Sequence, residues 1–188
     1  MIIDALEIDA MHLAAMHADE SALVSTARDV RRTEFATGRA LLRRMLQSTA
    51  PIGRATNGAP EWPAGVVGSL AHDSGHAVAA IGPSNQYRAI GIDIEPHSRS
   101  SGDDDDELHA AVLRADDPDI DPVAAFVMKE AAYKAWSDLG GEVIGPLAVR
   151  LEVAGCAFTA QMPAPEMLVQ GTIVDTGDRW VAIATICH

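Results

Sequence analysis

Two carboxylates alternate with isoleucines in the run Ala89-Ile90-Gly91-Ile92-Asp93-Ile94-Glu95. Successive side chains of an extended strand point to opposite faces, so Ile90, Ile92 and Ile94 should enter a core while Gly91, Asp93 and Glu95 share the other face. Two such carboxylates stand about 7 Å apart, near enough to take opposite sides of a hard cation such as magnesium. The same pattern also suits an edge strand with a solvated polar face, so alone it leaves both readings open.

The second chemical run is Phe126-Val127-Met128-Lys129-Glu130-Ala131-Ala132-Tyr133-Lys134-Ala135-Trp136. At about 100° per residue, Met128, Ala132, Trp136 and Leu139 form a core-facing side, and Lys129, Glu130, Tyr133, Lys134 and Ser137 the opposite one. Glu130 and Lys134 stand in the order and spacing of an ordinary helix-surface ion pair. Val123 and Phe126 fall on their side, however, which predicts that another part of the chain covers it. A carboxylate under such cover is a candidate base or metal ligand.

The third group is cationic. Arg31, Arg32, Arg39 and Arg54 precede residue 55, and His72 is expected in a turn between strands. The chain carries a formal charge of −13, a field that opposes nucleic acid backbones and anionic membranes. It also opposes any polyanion unless cations are gathered locally, and arginine forks match phosphate oxygens. His72 and His76 with Asp93 would alternatively suggest zinc. Histidines four apart signify most on a helix, which Asp73-Ser74-Gly75 interrupts.

These groups need elements to hold them. Residues 19–47 read as one or two helices, 51–63 as a loop, and 65–82 as two strands around a turn, with a further strand at 89–95. The acidic run Asp103-Asp104-Asp105-Asp106-Glu107 reads as a solvated loop. Asp121 and Pro122 suit the start of a helix that Gly140-Gly141 ends. A β-meander follows at 147–153, 156–162, 168–175 and 180–186, with Asp175-Thr176-Gly177-Asp178 as the last hairpin turn. The fold class is α+β, and the two halves could be one unit used twice. No apolar run of about 18 residues predicts a membrane span, and no secretory leader is expected. Cys156 and Cys187, without CxxC spacing, read as thiols of a reducing cytoplasm.

Together the runs resemble one family. Gly91-Ile92-Asp93-Ile94-Glu95-Pro96 followed by Lys129-Glu130-Ala131-Ala132-Tyr133-Lys134-Ala135-Trp136 is similar to the paired signature of the 4'-phosphopantetheinyl transferases. Arg31-Arg32-Thr33-Glu34-Phe35-Ala36-Thr37-Gly38-Arg39, Gly58-Ala59-Pro60-Glu61-Trp62-Pro63 and Val67-Gly68-Ser69-Leu70-Ala71-His72 resemble that family too, in its pseudo-dimeric siderophore- and surfactin-synthetase type, actinobacterial branch.

The resemblance implies two similar α+β halves, 1–92 on the coenzyme A phosphate side and 93–188 with metal and catalytic helix, and an active site between them. It implies magnesium at Asp93, Glu95 and Glu130, with Glu130 also the general base. Lys134 would stabilise departing 3',5'-ADP with Lys129 beside it. Arg31, Arg39, Arg54, Ala71 and His72 would hold coenzyme A, His72 at the 3'-phosphate. The implied activity transfers the phosphopantetheine arm of coenzyme A to a serine of an apo acyl or peptidyl carrier protein, by a cytoplasmic monomer that uses neither nucleic acid nor membrane. A magnesium-dependent nucleotide phosphohydrolase and a coenzyme A-binding protein without transfer are the competing readings. Three positions depart from the family pattern: Asn57, where lysine is common; Asp73, where cysteine or serine is frequent; and Gly140-Gly141-Glu142, where basic residues often stand.

Overall fold

A computed structural model describes every residue except 74, 98–104 and 165. Asp103 and Asp104 of the acidic run therefore lie outside the described residues.

The chain forms two antiparallel sheets and four α-helices among the described residues. The strands are β1 (Ile2–Glu7), β2 (Val66–His72), β3 (His76–Pro83), β4 (Tyr87–Pro96), β5 (Arg150–Ala154), β6 (Ala157–Met162), β7 (Met167–Asp175) and β8 (Arg179–Cys187). The helices are α1 (Ala18–Leu23), α2 (Asp29–Leu46), α3 (Asp105–Val112) and α4 (Pro122–Ser137). The first sheet runs β1-β3-β2 and the second β4-β8-β7-β6-β5, which agrees with the α+β expectation.

Side-chain alternation lets β3 serve two layers. Ala77, Ala79 and Ile81 pack with Leu41, Leu42 and Met45 of α2, whereas Val78 and Ala80 face Ile90, Ile92 and Ile94 of β4. Small alanines on both faces of β3 bring helix, sheet and β4 close together. On its other face β4 lies against α4. At Gly91 a Cβ would run into the Ala131 carbonyl of that helix, so only glycine permits this approach. The isoleucine-in, carboxylate-opposite alternation expected of this strand is what the structure has. The expected boundary between residues 92 and 93 falls inside β4, a continuous strand that pairs with β8.

Helix α4 begins as expected: the Asp121 carboxylate accepts from the Ala124 N–H at 2.9 Å and Pro122 occupies the first turn. Its burial differs from expectation. Val123, Ala124, Ala125, Val127, Met128, Lys129, Ala131, Ala132, Ala135 and Trp136 are all buried, so the helix is covered nearly all round. Three further differences concern short elements. β1 extends the first sheet at an edge, where Asp4 and Glu7 break up the apolar signal. The tail of the acidic run, from Asp105, is the start of α3 rather than loop. Residues Pro146–Ala148 form a 3-10 turn before β5 instead of strand.

Candidate active site

A cleft of about 430 Å³ opens between the first sheet with its α2 and the C-terminal half of α4. Arg31, Arg39, Arg54 and His72 line it from one side, Tyr133, Lys134, Ser137 and Asp138 from the other. Five of the cations and imidazoles singled out in the sequence therefore face one space, in a chain of net charge −13.

At one end, His72 is the last residue of β2 rather than part of the turn. The Arg31 guanidinium donates to His72 Nε2 and also reaches Glu34 at 3.2 Å, while Glu34 stands 3.8 Å from His72. Burial lowers the His72 pKa, with Glu34 opposing and Arg31 reinforcing that shift. The neutral imidazole can accept from Arg31, and an arriving phosphate would reverse the balance.

Arg39 is almost wholly buried at 2 % exposure. Its Nε donates to the Ile52 carbonyl at 2.8 Å and its Nη2 to the Gly53 carbonyl at 2.9 Å, and the guanidinium lies 4.2 Å above the Phe35 ring. Burial lowers its pKa to about 10, opposed by Glu20, so it stays cationic at neutral pH. Glu20 completes the bracket by accepting from the Ile52 N–H at 3.0 Å while paired with Arg43. Arg39 thus secures the 51–63 loop as well as lining the cleft. Arg54 stands on that loop, bridged to Pro60. Asn57 at the tip donates to Asp138 at 3.3 Å, joining the loop to the end of α4.

The acid side is formed where β4 meets α4. Lys134 Nζ donates to Asp93 Oδ1 at 2.6 Å and to the Ile92 carbonyl at 3.0 Å. Asp93 Oδ2 is buried without a hydrogen-bond partner among the described residues. Burial raises the Asp93 pKa, against the pull of Lys134. Burial also raises the pKa of Glu130, and the Asp93 charge adds to it while Lys134 opposes it. Two carboxyls whose proton affinities are raised by burial, one of them also by the other's charge and the other with an open buried oxygen, suit a hard dication. Glu95 is partly buried one step along β4, opposite Trp180. Among the described residues no three His, Cys, Asp or Glu side chains are gathered tightly enough to cage an ion. Magnesium commonly takes only one or two carboxylates and completes its shell with water and substrate phosphates. His76 lies outside the set of cleft-lining residues.

Of the expected site residues, Asp93, Glu95 and Glu130 are not among those that line the cleft, and Lys129 and Ala71 stand elsewhere altogether. Lys129 is 1 % exposed and turns away from the cleft. Its Nζ donates to Asp117 at 2.6 Å and to the Val112 carbonyl at 2.8 Å, because the segment after α3 covers that side of α4. Ala71 is buried with Ile90, Ile92 and Ile94 in the layer between β2 and β4. Conversely, Glu34, Phe35, Tyr133 and Asp138 line the cleft without having been singled out. Glu34 had a local signal, three residues after Arg31 on a helix. Asp138 had none, since its partner Asn57 is 81 residues away.

Comparison with known proteins gives this arrangement a family. A model of the 4'-phosphopantetheinyl transferase N-terminal domain matches residues 19–82, which contain α2, the 51–63 loop and His72. The chain is 33% identical over 180 residues to the 4'-phosphopantetheinyl transferase Svp of Streptomyces mobaraensis, covering 87% of this chain and 73% of that protein. This chain belongs to the 4'-phosphopantetheinyl transferase family. Two further relatives in that family are PptT of Mycobacterium tuberculosis, 36% identical over 137 residues, and Npt of Nocardia iowensis, 34% identical over 138 residues. Those matches cover 68% and 69% of this chain, and span 60% and 62% of the two relatives' lengths.

Proposed function

We propose that this chain transfers the 4'-phosphopantetheine arm of coenzyme A to a serine of an apo acyl or peptidyl carrier protein and releases 3',5'-ADP. One observation carries the reading: Arg31, Arg39, Arg54, His72 and Lys134 surround a single cleft in a strongly acidic chain, and Lys134 joins that cleft to Asp93, whose charge in turn acts on Glu130. A polyanion with phosphates at two places suits that layout.

His72 and Arg31 take the 3'-phosphate, while Arg54 and Lys134 face the pyrophosphate, with Arg39 holding the loop that bears Arg54. Asp93 and Glu130, with Glu95 nearby on the strand, would hold magnesium against that pyrophosphate, where the ion supplies charge neutralisation. The carrier serine Oγ attacks the phosphorus of the pantetheine phosphate. The bond from that phosphorus to the bridging oxygen breaks, and 3',5'-ADP departs with the bonding electrons. Glu130 accepts the serine proton, and its raised pKa makes it a stronger acceptor than an ordinary carboxylate. Lys134 already donates hydrogen bonds to the Ile92 carbonyl and to Asp93, and as a cleft-lining residue it would offer its third N–H to the departing phosphate. Such transfer needs charge placement more than covalent help.

The reading extends to a cytoplasmic monomer of the pseudo-dimeric siderophore- and surfactin-synthetase type, with the cleft between two related halves and nonribosomal peptide synthetase carriers as substrates. The test is to incubate the chain with coenzyme A, magnesium and an apo carrier protein, then weigh the carrier. A gain of one phosphopantetheine arm is expected. Release of phosphate with an unchanged carrier selects a phosphohydrolase, and tight coenzyme A binding without either product selects a binding protein.

A further inference from the structure

Asp73 follows His72 directly and its side chain is 1 % exposed. Its Oδ1 accepts from the Gly75 N–H at 2.7 Å and the His76 N–H at 2.8 Å, and its Oδ2 accepts from Arg179 Nε at 2.6 Å. Burial alone would raise this carboxyl, but the two N–H groups and Arg179 more than offset it and hold the pKa below its ordinary value. Arg179 lies 106 residues away at the start of β8, where it also pairs with Asp178. Along β8 and β4 the register is Arg179 with Pro96, Trp180 with Glu95 and Ala182 with Asp93. A Cβ on Gly75 would come within 3.0 Å of Arg179 Nη2, so the bare glycine gives the guanidinium room against the turn.

We propose that the Asp73–Arg179 pair is a positioning device that sets the 3'-phosphate end of the cleft against the carboxylates of β4; this rests on the function proposed above. Elsewhere β2 and β3 meet β4 through Ala71, Val78, Ala80, Ile90, Ile92 and Ile94. Apolar contact of that kind is non-directional and resists sliding along the strands only weakly. A charge-assisted bond to a carboxylate already fixed by two backbone N–H groups is directional and short. It acts on the residue next to His72 from the strand paired with Asp93 and Glu95. The pair therefore fixes how far the 3'-phosphate lies from the scissile pyrophosphate. Neither residue is among those that line the cleft.

The test compares coenzyme A with dephospho-coenzyme A, which lacks only the 3'-phosphate. Binding of each to wild type, Arg179→Gln, Arg179→Lys and Asp73→Asn is measured by calorimetry without carrier protein, together with melting temperature. Wild-type transfer to a carrier is assayed separately and alone decides the function reading. Arg179→Gln should weaken coenzyme A about tenfold and dephospho-coenzyme A less than about twofold, so that most preference for the 3'-phosphate is lost, with partial recovery in Arg179→Lys. Equal weakening of both ligands, or of neither, would make the pair a stabilising contact only and overturn the proposal. So would a wild type that binds both ligands alike. If Arg179→Gln does not fold, Arg179→Lys and Asp73→Asn are judged by the same preference, since both keep a hydrogen bond at the turn.

Discussion

Lys134 Nζ stands 2.6 Å from Asp93 Oδ1 and 3.0 Å from the Ile92 carbonyl, so one ammonium ties α4 to β4 at adjacent residues. The contact leaves Asp93 Oδ2 open in a buried position. The carboxylate is thereby held with one oxygen committed to the lysine and the other unbonded, while its charge raises the pKa of Glu130.

Substitution of the two acids separates ligand charge from shape. Asp93→Asn retains an oxygen for Lys134 but removes the charge, and should lower kcat about a hundredfold or more. Glu130→Gln should keep the fold and most coenzyme A affinity while kcat falls by at least a similar factor. Steady-state kinetics with circular dichroism checks both. A Glu130→Gln enzyme with intact kcat and raised KM would place the base elsewhere.

Arg39 and Arg54 should behave differently although both line the cleft. Arg39→Ala leaves the Ile52 and Gly53 carbonyls without their donor and should destabilise the chain by about 1–3 kcal/mol. Its KM for coenzyme A should rise as the 51–63 loop loosens. Arg54→Ala should raise KM with almost no change in melting temperature. Denaturant titration beside the kinetics distinguishes the two patterns.

Lys129 is expected to matter for folding and not for chemistry. Lys129→Ala strands Asp117, whose oxygens also accept from Leu151 N–H at 2.8 Å and Arg114 N–H at 3.0 Å. The loss should be about 3–5 kcal/mol of stability. In whatever fraction remains folded at low temperature, kcat should stay within about threefold of wild type. A large fall in kcat with unchanged stability would return Lys129 to the cleft.

The raised carboxyls give a pH signature. Asp93 and Glu130 bind protons more tightly folded than unfolded. Without metal, their contribution to stability is therefore lost as pH rises from the ordinary carboxylate range through their raised values. A bound dication would reverse that penalty where both are ionised and release protons as it binds. Magnesium with coenzyme A should accordingly raise the melting temperature more at pH 7.5 than at pH 5. Calorimetry in buffers of different ionisation enthalpy should register the released protons. An equal increment at both pH values would remove these two groups from the metal site.

Much of this arrangement was legible in the chain itself. The period-two alternation around Asp93 specified which face of β4 meets α4, because one slip would have exposed three isoleucines. The cap at Asp121 and the hairpin at 175–178 were local signals and appear where expected. Lys129 was misplaced because a helical wheel reports sides and not neighbours. The side it shares with Glu130 is covered by two different parts of the chain. Asp73 carried no signal for a similar reason: its partner comes from β8, and no local pattern encodes a bond across 106 residues.

Gly91 touches the main chain of α4 with no side-chain layer between. The spacing of Asp93 from Glu130 is therefore set by backbone against backbone, like a machined stop, and not by the cushion of apolar groups around it. Interchanges among Val127, Met128 and Val169 in the surrounding core should alter how firmly the protein holds together while Asp93 and Glu130 keep their distance. The spacing of the two carboxylates and the packing of the core are thus separable, and the hinge between them is one missing methyl group.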